Sequence, residues 1–86
     1  MNYNLVYTRR AEKDIKKLDA SIKSRIGNAL LKLQDNPLLY SEKLSDPVLG
    51  TYKFRIGDYR VIFDIEGNDV VVLRVGHRRE IYKRFR

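Results

Sequence analysis

The sequence predicts an α+β domain: an N-terminal strand, then an antiparallel helical hairpin packed on one face of a three- to four-stranded antiparallel sheet, in the order β-α-α-β-β-β. Three observations carry this. Apolar residues recur at helical spacing between positions 9 and 35 and at every second position between 51 and 65, and the 86 residues leave room for a single domain, 1–86. A chain of this length buries only about 60–65% of the surface its unfolded form exposes, so its core is thin. One layer of helix on one sheet suits such a core.

The first segment, Asn2 to Thr8, alternates, with Tyr3, Leu5 and Tyr7 on one side. Thr8 can cap a following helix by accepting a free N–H of the first turn, and Ala11, Ile15 and Leu18 form its apolar stripe. Asp19 or Ser21 starts a second helix, striped by Ile22, Ile26, Ala29, Leu30 and Leu33; it ends at Asn36-Pro37, because the residue before proline is pushed out of the helical region. Residues 38–50 show no period and read as a loop with room for a short helical turn. Thr51–Ile56 and Tyr59–Ile65 alternate around Gly57-Asp58, and a second turn at Glu66-Gly67-Asn68 leads into the apolar run DVVVLRV. Residues 76–86 are too charged for a core strand and read as a short edge strand with a frayed tail. The helical hairpin covers one sheet face, and no further helix is available for the other.

Composition removes several classes of function. No cysteine means no disulfide framework and no thiolate metal site, and it points to a reducing, cytoplasmic setting. A lone histidine, His77, cannot build a transition-metal centre without carboxylate helpers, so no metal and no cofactor are expected. No apolar stretch approaches the length of a membrane span, and MNYNLVYTRR lacks the core of a signal peptide. There remain 18 Lys+Arg against 11 Asp+Glu, a net charge of +7 that favours polyanionic partners.

Cations between 9 and 35 are interleaved with carboxylates, as on a solvated helix face, whereas from Arg74 to Arg86 they are opposed by Glu80 alone. Alternation sharpens the picture. In 51–56, Tyr52, Phe54 and Ile56 point one way and Lys53 and Arg55 the other. A two-residue loop at Gly57-Asp58 sets Ile56 opposite Tyr59 and Arg55 opposite Arg60. The apolar rows then pack beneath the helices, and Lys53, Arg55 and Arg60 share the outer face. Like charges directly across an antiparallel pair cost roughly 0.2–1 kcal/mol. Either Asp58, Asp64 or Glu66 neutralises them locally, or a ligand phosphate supplies the missing charge. Gly76 reads as a bulge that re-aims His77, Arg78 and Arg79, and Tyr82 offers a hydroxyl and a face for stacking an RNA base.

The stretch YKFRIGDYRVIFDIEGNDVVVLRVGHRREIYKR, with its GDYR and GHRREIY signatures, resembles the C-terminal half of RelE/ParE-type toxins, and more specifically their RelE branch; the N-terminal Y-x-L-x-Y and A-x-K-D-I-x-K-L stretches fit as well. The resemblance covers essentially the whole chain. It implies a RelE-like fold and the toxin of a type II toxin–antitoxin system. Such a toxin is a metal-independent endoribonuclease, an mRNA interferase acting on the ribosome and inhibiting translation. It also implies a neutralising, acidic, RelB-like antitoxin as partner. Attack by the 2′-hydroxyl on the adjacent phosphate would leave a 2′,3′-cyclic phosphate. Lys53, Arg55, Arg60, Arg78 and Tyr82 fall on the family's active-site positions, with Arg79 beside them for RNA binding.

One departure matters. In the best-studied members the position of Arg55 is a lysine, a candidate general base, and a guanidinium is a poor proton acceptor. Lys53 and His77 are then the candidates for moving the proton: a lysine among like charges deprotonates more readily, and histidine titrates near neutrality without tuning. Two other readings share the fold, a non-catalytic ParE-like toxin acting on DNA gyrase and a non-catalytic RNA- or ribosome-binding module. Leu38, Leu39, Tyr40, Val48 and Leu49 exceed what a small core can bury and mark a possible partner surface.

Overall fold

The computed structural model describes residues 3–45 and 50–82. Its elements run β1 (Asn4–Tyr7), α1 (Arg9–Lys16), α2 (Ala20–Asp35), β2 (Ser41–Lys43), β3 (Tyr52–Ile56), β4 (Tyr59–Glu66), β5 (Asp69–His77) and α3 (Arg78–Ile81). The strands form one five-stranded sheet in the order β1-β5-β4-β3-β2. Neighbouring strands pair antiparallel, except that β1 lies parallel to β5. No helix among the described residues is long and apolar enough to cross a membrane.

Local chemistry sets most of these boundaries. Thr8 Oγ1 accepts the Ala11 N–H at 3.1 Å and starts α1. Asp19 stands at the N-cap of α2, and Asn36 ends that helix before Pro37. Both hairpins close through two residues, with Ile56 opposite Tyr59 and Glu66 opposite Asp69. Gly57 (φ +59°) and Gly67 (φ +60°) occupy the first loop position, where the left-handed conformation matches the twist of the flanking strands.

The helices cover the face carrying Tyr52, Phe54, Ile56, Tyr59, Val61 and Phe63, as alternation requires. Ile26, Leu30 and Leu33 of α2 and Ala11 of α1 are buried against Phe54, Val61, Phe63, Val70, Val72 and Val75. A buried ion pair fastens α1 to β5: Arg74 Nε lies 2.7 Å from Asp14 Oδ2, and the same oxygen accepts the Val75 N–H at 3.0 Å.

Four expectations change. The segment 38–50 contains β2, a three-residue strand too short to show a period, which makes the sheet five-stranded rather than three- or four-stranded. The described part of the charged end, 76–82, is not an edge strand: β5 continues to His77, and α3 follows at once. The ladder irregularity falls opposite Ile62/Phe63, where Leu73 is the extra residue, while Gly76 pairs regularly with Arg60. Finally, the outer face is covered at its centre. A Cβ at Gly50 (φ +150°) would lie 2.6 Å from Ile62 Cγ2 and 2.9 Å from Leu73 Cδ1, and Ile81 of α3 packs over Gly76. Ile62 and Ile81 are accordingly inaccessible to solvent. Around this apolar centre the outer face is polar, with Arg55 and Arg60 toward the Gly57-Asp58 turn and Asp64 and Glu66 toward the other end of β4. Val48, Leu49, Lys83, Arg84 and Arg86 lie outside the described residues.

Candidate nucleic-acid interface

The β3–β4 ladder sets Arg55 directly opposite Arg60, the like-charge pair that alternation requires. Lys53, two residues before Arg55, shares its face of β3. The cations hold to separate acceptors. Arg60 Nη1 donates to Gly57 O and Tyr59 O, both at 2.8 Å, which curls the guanidinium over the turn of its own hairpin. Arg78 reaches the same turn from the start of α3: its N–H donates to Asp58 O at 2.7 Å, and its Nε lies 3.7 Å from Asp58 Oδ1. The Gly57-Asp58 turn therefore gathers the Arg60 and Arg78 guanidinium groups from segments 18 residues apart in sequence (78 − 60), and the Arg25 guanidinium of α2 reaches it as well, its Nη2 2.7 Å from where a Cβ on Gly57 would lie.

A second meeting point lies at the sheet edge. Glu42 of β2 pairs with Lys53 in register, and its Oε1 lies 3.7 Å from Lys53 Nζ and 3.8 Å from Arg55 Nη2. Among Asp58, Asp64 and Glu66, only Asp58 takes up a cation of the set, and that cation is Arg78. Asp64 instead accepts the Thr51 N–H at 2.7 Å and pins the segment that covers Ile62. Sequence reasoning missed Glu42 because its segment has no period from which a face could be assigned. The Glu42 and Asp58 pairs are loose and solvent-exposed, with Arg55 59% and Arg78 51% accessible at their side chains. Such pairs contribute about 0–1 kcal/mol, so an incoming phosphate displaces them at small cost.

His77 stands apart. In register it faces Tyr59, whose ring belongs to the helix-covered side, and the two rings meet edge-on at 5.4 Å. Its Nδ1 accepts the Arg79 N–H at 3.1 Å and caps α3. A neutral imidazole has one acceptor nitrogen, and here the cap uses it, so the other nitrogen is a donor. Arg79 is exposed on α3. Tyr82 ends that helix half-buried, and its hydroxyl is shielded from solvent with no hydrogen-bond partner among the described residues.

Known proteins match this arrangement over nearly its full length. The family model described as the ParE toxin of the type II toxin–antitoxin system, parDE, matches residues 5–82. Toxin RelG of Mycobacterium tuberculosis is 36% identical over 87 residues, with 98% of this chain and 100% of that protein covered. Toxin RelE3 of Methanocaldococcus jannaschii is 27% identical, with 94% and 97% covered. Among solved structures, the toxin–antitoxin complex RelBE2 from Mycobacterium tuberculosis superposes with a TM-score of 0.81 at 31% identity, over 91% of this chain and 100% of the matched one. The isolated E. coli RelE toxin superposes with a TM-score of 0.74 at 25% identity, over 96% and 94%. The chain belongs to the RelE/ParE superfamily of type II toxin–antitoxin toxins.

Proposed function

We propose that this toxin is an endoribonuclease that cuts mRNA, with the ribosome as its setting, by attack of a 2′-hydroxyl on the adjacent phosphate. The single observation behind this reading is the convergence of Arg60 and Arg78 on the Gly57-Asp58 turn, beside Arg55 and Lys53. Attack forms the P–O2′ bond and breaks the P–O5′ bond through a pentacovalent phosphorane that carries extra negative charge. Guanidinium groups already held in place favour that species over the substrate, which is the condition for catalysis. Arginine suits the task because it remains charged and grips phosphate through two donors.

The proton steps then fall to other groups. His77 spends its acceptor nitrogen on a helix cap. Glu42 is the carboxylate between Lys53 and Arg55, and carboxylates serve as general bases where guanidinium groups do not. In this reading Glu42 takes the 2′-hydroxyl proton and Lys53 delivers one to the departing 5′-oxygen. Tyr82 positions a base beside the scissile linkage.

Arg60→Ala and Arg78→Ala test the proposal. Each is expected to lower translation-dependent mRNA cleavage by on the order of 10²–10³ while the melting transition stays in place. Unchanged cleavage in both variants refutes it. The ParE description of the matching family model supports a second reading, poisoning of DNA gyrase; gyrase-dependent DNA breaks with intact RNA would establish that one.

A RelB-like antitoxin is the expected partner, in keeping with the solved RelBE2 and Methanococcus jannaschii RelB–RelE complexes. Leu31, Leu38, Leu39 and Tyr40 form an exposed apolar surface beside β2, with Leu39 67% accessible, and suit such a contact.

A further inference from the structure

Cations approach the Gly57-Asp58 turn from both sides of the sheet. Arg60 comes from the outer face and Arg78 from the start of α3, and each holds to atoms of the turn. Arg25 comes from the helix-covered side. Its neighbour Ile26 is buried in the core with Phe54 and Val61, while Arg25 itself is exposed. The Arg25 Nη2 lies 2.7 Å, and its Cζ 3.8 Å, from the point that a Cβ on Gly57 would occupy. Gly57 therefore serves twice: its φ of +59° closes the turn, and its missing side chain leaves the seat of the guanidinium open.

No charge in the protein accounts for this placement. Arg25 has no hydrogen bond and no ion pair among the described residues. The residues one helical turn away, Ser21, Ile22, Asn28 and Ala29, carry no charge that could pair with it. The carboxylate of the turn, Asp58, is the partner of Arg78. Three guanidinium groups thus meet one carboxylate at the hairpin tip, and Arg25 is the one of the three without an acceptor among the described residues.

We propose that Arg25 holds a second phosphate of the RNA, next to the one gripped by Arg60 and Arg78, so that a single strand bends around the hairpin tip from the outer sheet face toward α2. The proposal rests on the ribonuclease reading for its ligand. Because Arg25 and Arg60 reach the tip from opposite sides of the sheet, successive phosphates of one strand match their placement and a single phosphate does not. A single strand is flexible enough to follow such a path along a row of cations. A guanidinium suits the task because it stays charged and offers two parallel donors to a phosphate. Two plainer roles make different predictions. A group that only packs on the turn would affect stability and leave RNA affinity alone. A solvated surface charge would matter no more than Lys23, an exposed cation two positions away and on another face of the same helix.

The test uses the isotope-labelled full chain, chemical-shift titration and two probes that lack the attacking hydroxyl. One is 2′-O-methyl octauridylate, with several internucleotide phosphates; the other is the 2′-O-methyl uridine dinucleotide, with a single one. Arg25→Ala is expected to weaken octanucleotide binding about tenfold at low salt. It should also flatten the slope of log affinity against log salt by about 0.7, the share of one phosphate contact on a single strand. Dinucleotide affinity should stay unchanged, whereas Arg60→Ala weakens both probes. Arg25→Lys should restore the salt slope, and Lys23→Ala should leave it as it is. Arg25 is exposed, and a thermal melt shows that each variant is folded. An unchanged salt slope in Arg25→Ala, an equal loss in Lys23→Ala, an equal loss on the dinucleotide, or no octanucleotide binding by the unaltered chain would each overturn the proposal. Failure of the ribonuclease reading shows separately, as cleavage that survives both Arg60→Ala and Arg78→Ala.

Discussion

Glu42 and Lys53 are register partners across β2 and β3, and the Glu42 carboxylate spans Lys53 and Arg55 at 3.7 and 3.8 Å. An edge strand of three residues thereby delivers a carboxylate to the cationic face that the alternation of β3 and β4 leaves without a base.

Replacing that carboxylate separates binding from chemistry. Glu42→Gln keeps the shape and removes the negative charge, so single-stranded RNA should bind as tightly or more tightly. Cleavage should fall by on the order of 10²–10⁴, the usual contribution of a general base. Filter binding paired with single-turnover cleavage resolves the two. A counter-ion with no part in proton transfer would leave the cleavage rate equal or raised.

The Tyr82 hydroxyl is buried and unpartnered among the described residues, which costs about 1–3 kcal/mol in a folded protein unless something repays it. Tyr82→Phe should therefore melt at the same temperature or higher. If RNA satisfies the hydroxyl, the variant loses cleavage despite its stability. Calorimetry together with a cleavage assay checks both, and a lowered melting temperature would show that the hydroxyl already has a structural partner.

Asp14 holds Arg74 and the Val75 N–H at once, with its side chain only 10% and that of Arg74 7% accessible. Asp14→Ala removes one member of a buried ion pair, a change that costs about 3–5 kcal/mol. At roughly 4–8 °C per kcal/mol for a domain of this size, the melting temperature should drop by more than about 10 °C. Asp14→Asn, which retains an acceptor for Val75, should lose less.

Burial raises the Tyr7 phenol above its ordinary value of 10.0. The fold thus favours the neutral phenol over the phenolate. The stability this contributes is complete below pH 10.0 and drains away as pH climbs through the raised folded value. Tyr7→Phe should flatten the alkaline fall in melting temperature, followed by circular dichroism between about pH 9 and pH 11.

Much of this molecule follows from local pattern. Period-two alternation places Arg55 opposite Arg60 and turns Tyr52, Phe54, Val61 and Phe63 under the helices, because successive side chains of a strand must point to opposite faces. Gly57 and Gly67 announce two-residue loops because few other residues adopt a positive φ. Thr8 and Pro37 bracket the helical segment through one hydrogen bond made and one conformation denied. Each of these constraints acts within a few residues, so each is written in the order of the chain.

Contacts between distant segments had to wait for tertiary structure. Nothing in the run around Glu42 has a period, so only pairing with β3 reveals which way its carboxylate faces. Counting helices leaves the outer sheet face bare, yet Gly50 and Ile81 cover its centre, since a loop lacking a Cβ and a four-residue helix fill the space a full helix would occupy. His77 looks like a proton carrier by residue type, and it became a helix cap because the chain turns into α3 directly behind it. Residue order determined which faces and turns exist; the folding together of β2, the 50–51 segment and α3 decided which side chains share them.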